Sequence, residues 1–385
     1  MERYVLPLGE RNLSARLATA KRGDVNRRAC LRAIGVVTLL IWLCGDSRGQ
    51  DNPHHSPALL GVDGDVGGVH DPSIVKEDNT WYLFGTVTEK NSPGQIPIRC
   101  SKDLLHWRRC GFVFQGIPEW IQKESPKTQD LWAPDESYFN GKYHLYYAFS
   151  IFGKNTSGIA LVTNKTLDPG SADYKWADEG LVFRSREEDD FNAIDPNIVI
   201  DSDGSVWMSF GSFWGGIKMR RIDPQTGKLS TKDTKLYSLA KRVPPENLPA
   251  PRPGLPDDWQ AIEAPFIVRH NEYYYLFVSF DLCCRGVKSN YKTMVGRSRS
   301  VKGPYLDASG KPMVEGGGTP LLVGNERWAG PGGESILQEP GRDIIVFHAY
   351  NGKTGKPRLH ISTIDWTSDW PHAAFEGGNP AAPQK

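Results

Sequence analysis

The chain has 385 residues, of which 39% are hydrophobic and 11% aromatic, so it can bury a large core. Its formal net charge is +1, but residues 1–50 hold nine basic and four acidic side chains, which leaves 37 basic and 41 acidic residues in the remainder. A mildly acidic body without basic runs argues against nucleic acid as a partner. The aromatic content favours β structure and surfaces that stack on cyclic ligands.

The N-terminal segment has the pattern of a secretory signal. Arg27, Arg28 and Arg32 precede an apolar run at residues 33–44, which is too short to span a bilayer. We predict a signal segment over residues 1–50 and a linker over 51–60. The body is then secreted or periplasmic, with no stable membrane association after cleavage. The alternative is an N-terminal membrane anchor.

Export into an oxidising compartment gives the four remaining cysteines a structural meaning. Cys100 and Cys110 flank a turn-like stretch, and we expect them to form a disulfide across a hairpin. Cys283 and Cys284 are adjacent, so they form either a vicinal disulfide or two buried thiols. Neither spacing resembles a zinc site.

Five similar units follow one another from residue 71 onward. In each unit two short apolar strands are joined by a polar turn, and the units start 60 to 71 residues apart. The strand pairs are 71–75 with 81–86, 133–139 with 143–147, 195–200 with 206–211, 263–267 with 273–277, and 333–336 with 344–348. This repeat predicts an all-β, five-bladed β-propeller over residues 61–376, followed by a flexible tail at 377–385. A β-sandwich with long loops is the alternative, but it gives no reason for a fivefold period.

Three of the units begin with an acid close to a proline, namely Asp71, Asp195 and Glu263. The innermost strand of each propeller blade lines the central channel, so the starts of these strands converge on one mouth. Each acid alone reads equally well as a turn cap. We interpret three acids in matching phase as a functional cluster; in the second unit the matching position is Ala133.

At these residues the chain resembles glycoside hydrolase family 43, and within it the endo-acting arabinanases, from about residue 61 to residue 370. The matching segments are 70–73 (HDPS), 131–135 (LWAPD), 194–197 (IDPN), 210–217 (FGSFWGGI), 262–266 (IEAPF), and 283–287 (CCRGV) through 294–298 (MVGRS). The resemblance implies a five-bladed propeller that hydrolyses α-1,5-linked L-arabinofuranosyl chains with inversion. Its partner would be plant cell-wall arabinan or arabino-oligosaccharides, and we expect a monomer.

The resemblance also implies separate catalytic roles for the acids. Asp71 resembles the general base that activates water, and Glu263 resembles the general acid that protonates the leaving oxygen. Asp195 resembles the residue that orients this acid and raises its pKa. Inversion requires an acid and a base about 6.5–9.5 Å apart, so that water fits between them and the sugar. Asp71 is expected to stay ionised, and Glu263 to stay protonated near neutral pH.

His348 lies in the segment 347–350 (FHAY), which resembles the family segment whose histidine helps to hold a calcium ion, largely through water. We therefore predict a calcium contact at His348. The alternative is an ordinary core histidine, because calcium prefers oxygen ligands. Where such enzymes often carry a Gly-His pair, this chain reads Gly332-Gly333-Glu334.

Substrate contacts are expected from residues in the same motifs. The predicted sugar platform is Trp132, Phe213 and Trp214, because apolar sugar faces stack on flat rings. Asn197 and Ser212 are the hydrogen-bonding candidates. For each of the five, packing between blades is the alternative. The proline-rich stretch 244–256 either rims the cleft or is a surface connector.

Two further functions remain open from the sequence. An exo-acting α-L-arabinofuranosidase or a β-xylosidase would keep the fold and the reaction but change the substrate. A non-catalytic propeller that binds polysaccharide would keep only the fold. The presence of all three acids argues against the non-catalytic alternative.

Overall fold

The computed structural model describes residues 56–250 and 255–377. The predicted signal segment at 1–50, half of the predicted linker and the tail beyond residue 377 lie outside these residues. Among the described residues, no helix is long and apolar enough to cross a membrane.

The described chain forms five sheets in chain order, which we name blades I to V; their strands are antiparallel except for one parallel pair in the first sheet. Blade I contains β1 (Asp63–Gly64), β2 (His70–Glu77), β3 (Thr80–Thr86), β4 (Gln95–Ser101) and β5 (His106–Phe114). Blade II contains β6 (Leu131–Phe139), β7 (Lys142–Phe149), β8 (Gly158–Asn164) and β9 (Ala177–Arg184). Blade III contains β10 (Asn197–Ile200), β11 (Val206–Phe210), β12 (Ile217–Asp223), β13 (Lys228–Leu229) and β14 (Tyr237–Ala240).

Blade IV contains β15 (Ile262–His270), β16 (Tyr273–Phe280), β17 (Lys292–Ser298) and β18 (Thr319–Val323). Blade V contains β19 (Trp328–Glu339), β20 (Arg342–Asn351), β21 (Pro357–Asp365) and β22 (His372–Ala373). A short helix, α1 (Glu119–Glu124), precedes blade II, and three 3₁₀ turns span Asp258–Gln260, Gly286–Lys288 and Met313–Glu315. The predicted five-bladed β-propeller is confirmed.

The hydrophobic core lies between neighbouring blades. Each of the five buried clusters joins the facing sides of two consecutive blades, and one of them joins blade V to blade I. The start of the described chain reinforces that last junction. The Leu60 amide donates to the Ile361 carbonyl of blade V at 2.8 Å, while β1 pairs in parallel with β5 of blade I. The ring is therefore closed by backbone pairing as well as by side-chain packing.

One backbone feature recurs at the channel end of every inner strand. A residue with positive φ stands there in each blade: Asp71 (47°), Ala133 (42°), Asp195 (55°), Ala264 (52°) and Gly333 (58°). In blades I, II, IV and V the strand register shifts around it, which is the signature of a β-bulge. Bulges re-aim side chains next to functional sites.

These recurring positive-φ positions correct the expectation from the sequence that the three acids occupy matching positions in their strands. Asp71 and Asp195 occupy the positive-φ position, but in blade IV that position belongs to Ala264, and Glu263 lies one residue earlier. Glu263 is therefore equivalent to His70 rather than to Asp71. The acids still converge on one mouth, but Glu263 reaches it from a different point of the bulge.

Polar side chains near the strand starts hold the inner strands in a ring. Across four of the five junctions, a side chain of one inner strand accepts a backbone N–H of the next. The four donor–acceptor pairs are Glu136 to Ser73, Ile198 to Asp135, Ile267 to Asn197 and Ile74 to Ser335, at 2.8 to 3.2 Å. Because buried backbone amides need partners, these bonds fix the relative heights of the strands that carry the acids.

Candidate active site

A pocket of about 490 Å³ opens at the mouth where the inner strands start. It is lined by the three predicted catalytic acids, Asp71, Asp195 and Glu263, and by four of the five predicted substrate residues, Trp132, Ser212, Phe213 and Trp214. The convergence expected from the fivefold repeat is therefore present in the structure. The pocket is large enough for a few sugar rings.

Asp71 lies among partners that favour its charged form. His70 Nδ1 is 2.9 Å from Asp71 Oδ2, and the Thr86 hydroxyl donates to the same oxygen at 2.6 Å. The His70 ring stacks on His348 at 3.8 Å, and its Nε2 is 2.6 Å from the Tyr350 hydroxyl. The imidazole is thereby fixed with one nitrogen towards the carboxylate.

These partners decide the ionisation of Asp71. Burial alone would raise its pKa, but the charge and hydrogen bond of His70, together with the bond from Thr86, outweigh burial and lower the pKa of Asp71 to about 2. Burial lowers the pKa of His70, but Asp71 and Glu263 outweigh it, so that the net pKa is raised. Asp71 is accordingly a carboxylate at neutral pH, as the sequence predicted.

Glu263 has a different environment. Ser212 Oγ donates to its Oε2 at 2.6 Å, and the buried Tyr291 hydroxyl donates to its Oε1. Burial raises the pKa of Glu263, the Ser212 and Tyr291 hydrogen bonds lower it, and the charge of Asp71 raises it again, so that the net shift is upward. The sequence attributed this rise to Asp195, whereas burial is the larger cause.

Asp195 lies beside Glu263 and is joined to its strand. Its Oδ2 accepts the Ala264 amide at 3.1 Å. Burial, and then the charges of Glu263 and Asp71, raise the pKa of Asp195 well above its usual value. Because two buried carboxylates cannot both ionise cheaply, their burial and mutual repulsion favour a proton on the Asp195–Glu263 pair.

The aromatic candidates lie where a sugar could stack on them. Trp132, Phe213 and Trp214 are half-buried and line the pocket. Phe213 and Trp214 have φ values of 52° and 43°, in a turn closed by the Gly216 amide on the Phe213 carbonyl. Ser212, in contrast, already uses its hydroxyl on Glu263 and so contacts the acid directly.

Asn197 is not part of the pocket wall, contrary to the sequence-based expectation. Its side chain is 1% exposed; its oxygen accepts the Ile267 amide at 2.9 Å, and its nitrogen lies 3.3 Å from Asp135 Oδ1. The amide is therefore committed to joining blades II, III and IV.

His348 is buried beneath Asp71, with its Nδ1 accepting the Asp71 amide at 3.2 Å. Burial lowers its pKa well below the usual value, so the neutral ring carries its proton on Nε2, which has no hydrogen-bond partner among the described residues. A protonated nitrogen is a donor and does not fit direct coordination of calcium. A calcium ion held through water stays a prediction from the sequence.

Glu334, beside the glycine that departs from the family pattern, is also buried. Ser279 and Thr293 donate to its Oε2 at 3.1 Å, and burial raises its pKa to about 7. It therefore does not solvate the rim of the channel. From the proline-rich stretch, Leu255 and Pro256 do line the pocket, so the end of that stretch rims the cleft.

Sequence reasoning missed three contributors to the site: His70, Tyr291 and the Cys283–Cys284 pair, which all line the pocket. His70 stood inside the quoted motif, directly before Asp71, and that was the available signal. No motif singled out Tyr291, because it reaches Glu263 from a loop 28 residues further along the chain. The expected Cys100–Cys110 disulfide is present, and of the two alternatives for Cys283 and Cys284 the structure shows the disulfide.

An ionised carboxylate and a proton-holding carboxyl pair around one sugar-sized pocket form the kind of site that hydrolyses glycosidic bonds. The family model for glycosyl hydrolases family 43 matches residues 66–371 of this chain. The chain therefore belongs to glycosyl hydrolases family 43 and is a glycosidase.

Individual relatives differ in their named activity. The extracellular endo-α-(1→5)-L-arabinanase 1 of Bacillus subtilis is 44% identical over 79% of this chain and 87% of its own length. The extracellular exo-α-(1→5)-L-arabinofuranosidase of Cellvibrio japonicus is also 44% identical, over 79% and 85%. The solved Cellvibrio cellulosa α-L-arabinanase complexed with arabinohexaose is 43% identical, covers 80% of this chain and 96% of that one, and superimposes with a TM-score of 0.72.

Proposed function

We propose that this glycosidase hydrolyses internal α-1,5 bonds of linear L-arabinan with inversion, and that Asp71 is its general base and Glu263 its general acid. The observation that carries the proposal is the contrast between the two carboxyl groups. Hydrogen bonds and a histidine hold Asp71 in its charged form, whereas burial favours a proton on the Asp195–Glu263 pair. An inverting hydrolase needs this division of labour.

In the proposed reaction, Asp71 accepts a proton from a water molecule that attacks the anomeric carbon. Glu263 donates its proton to the leaving glycosidic oxygen as the bond breaks. Its oxygens already face two hydroxyl donors, so the new carboxylate is stabilised as soon as it forms. Asp195, joined to the Ala264 amide, is a positioning residue that sets where the shared proton resides.

The substrate assignment is supported by the names of the relatives. Several are described as arabinan endo-1,5-α-L-arabinosidases or endo-arabinanases, and one solved relative carries arabinohexaose. Trp132, Phe213 and Trp214 supply the flat surface on which arabinofuranosyl rings would stack.

The second candidate is exo-acting hydrolysis of the same polymer, because a relative named as exo-acting matches the chain as well as the endo-acting one does. Time-resolved chromatography of a linear arabinan digest separates the two candidates. A ladder of short oligosaccharides at early times supports internal cleavage, whereas a single product from the first minutes overturns it. Xylo-oligosaccharides in a parallel digest test the β-xylosidase alternative.

Two further parts of the proposal concern stereochemistry and location. Proton NMR of the first products is expected to show the β anomer, since inversion converts an α bond into a β product. We also propose export, supported by the signal-like pattern of residues 1–50 and by two relatives named extracellular. Cell fractionation of the full chain, compared with a chain lacking residues 1–50, checks it.

A further inference from the structure

The Cys283–Cys284 disulfide forms the part of the pocket wall that lies between Glu263 and His70. Cys283 Sγ is 3.6 Å from Glu263 Oε1, and Cys284 Sγ is 3.7 Å from His70 Nε2. The Cys284 amide donates to the Tyr350 hydroxyl at 2.9 Å, which holds the turn against blade V. Neither the repeat pattern nor the proposed mechanism gives this pair a role.

The oxidation state of Cys283 decides the chemistry of its contact with Glu263. A disulfide sulfur carries no hydrogen, so at 3.6 Å it only excludes water from Oε1. A thiol in the same place lies within the reach of a sulfur hydrogen bond and would donate to the carboxylate. The disulfide therefore keeps a donor away from the acid.

The equilibrium between the protonated and ionised forms of Glu263 is sensitive to such a donor. The titratable and charged groups that face it are Asp71, Asp195, His70 and Tyr291. Two hydroxyl donors, from Ser212 and Tyr291, already favour its charged form, and burial with the Asp71 charge opposes them. A third donor would further stabilise the ionised form of Glu263 and lower its pKa.

We propose that the Cys283–Cys284 disulfide is a positioning element of the active site, an aprotic wall that preserves the ability of Glu263 to hold its proton. The role of Glu263 as the acid is taken from the proposed function, and the disulfide adds a condition for that role. Reduction of this one bond is then expected to weaken the acid without removing any catalytic residue.

The primary test compares the oxidised protein with protein reduced by dithiothreitol. The S–S bond breaks and two thiols form, while dithiothreitol supplies the two electrons and two protons and closes to its own cyclic disulfide. Cys284 is exposed and Cys283 half-buried, so the reductant can reach the bond. The alkaline limb of the pH profile of kcat/KM should move to lower pH by about one unit, since a donor lowers the pKa of the acid.

Two variants separate this effect from loss of the covalent link. Cys283→Ala with Cys284→Ala places no protein donor beside Oε1, so its alkaline limb should stay closer to the wild-type pH than that of the reduced protein and should not respond to dithiothreitol. Cys283→Ser with Cys284→Ala places a hydroxyl donor beside Oε1 and should move the limb down without any reductant. The double alanine variant also controls for Cys100–Cys110, which dithiothreitol reaches in every sample.

Three results would overturn the proposal: an unchanged limb in the serine variant, an unchanged limb after thiol counting shows reduction, or an equal shift in the double alanine variant. A readout without substrate keeps this test apart from the proposed function. Carbon-13 NMR of labelled glutamate, with Glu263→Gln to assign the signal, follows the titration of Glu263 directly. If reduction shifts the titration of Glu263 but the protein does not hydrolyse arabinan, the role of the disulfide is supported and the proposed function is contradicted. If the protein hydrolyses arabinan but reduction does not shift the titration, the proposed function is supported and the role of the disulfide is contradicted.

Discussion

Asp71 and Glu263 line the same pocket, but the protein surrounds them in opposite ways. Asp71 faces a histidine that is itself held in place by Tyr350, so its charge is balanced within the site. Glu263 faces hydroxyl groups, a disulfide and a second acid. Its burial raises its pKa and so opposes the charged form. The difference shows that a repeated blade architecture can give two carboxyl groups separate protonation states through their neighbours alone.

The largest expected effect comes from replacing either of these two carboxyl groups. Glu263→Gln and Asp71→Asn should each lower kcat on arabinan by about 10²–10⁴-fold, the usual contribution of a general acid or base. An arabino-oligosaccharide with a nitrophenol leaving group needs little protonation, so it should restore Glu263→Gln far more than Asp71→Asn. Initial rates on both substrates check this.

Glu119→Gln, the same chemical change on exposed α1, is the matched control and should retain wild-type rates. Equal rates of Glu263→Gln and the control on arabinan would remove Glu263 from the role of acid.

Asp195→Asn sharpens the comparison by leaving Glu263 without its partner. We expect kcat/KM to fall about 10²-fold, the scale of a misplaced catalytic group. The alkaline limb of the pH profile should also move to lower pH, because repulsion between two buried carboxylates no longer raises the pKa at which the pair loses its last proton. A loss of rate with an unmoved limb would indicate that Asp195 acts on position alone.

Tyr291→Phe and Ser212→Ala should shift the same limb in the other direction. Each removes a donor that favours the charged form of Glu263, so the pKa of the acid rises by about one unit and activity persists to higher pH. Tyr138→Phe, on an exposed tyrosine outside the pocket, controls for the loss of a phenol. Movement of the alkaline limb to lower pH in Tyr291→Phe would contradict the assignment of the Tyr291 hydroxyl as a donor to Glu263.

The smallest effect on catalysis is expected from Asn197→Ala. This variant leaves the Ile267 amide without its acceptor, so we expect the free energy of unfolding to fall by about 2 kcal/mol with KM unchanged. Trp132→Ala, which alters the pocket wall, should raise KM and change stability less. Denaturant unfolding and steady-state kinetics on both variants check the contrast. A raised KM in Asn197→Ala would return this residue to the substrate site.

The fold could be predicted from the sequence because its evidence is local and repeated. Two apolar strands joined by a polar turn recur five times, and the turn residues match their geometry: Asn140 and Gly141, for example, have φ values of 49° and 76°. The convergence of Asp71 and Asp195 followed from this repeat.

The finer structure of the site depends on features that no local pattern encodes. A bulge places Glu263 one residue before the position of the other two acids, and only the Ala-Pro spacing that follows it hinted at this. Tyr291 reaches the acid from a loop, and Asn197 turns away from the pocket into a blade junction. These outcomes follow from packing between blades, which brings together residues far apart in the chain.

The measurement that tests the central claim most directly is the pH profile of kcat/KM of Glu263→Gln, measured on the nitrophenyl substrate beside the wild type. If Glu263 donates the proton, the alkaline limb of the wild-type profile disappears in the variant, and the acid limb that belongs to Asp71 stays where it was. An alkaline limb that persists unchanged in Glu263→Gln would contradict the assignment of the two carboxyl groups.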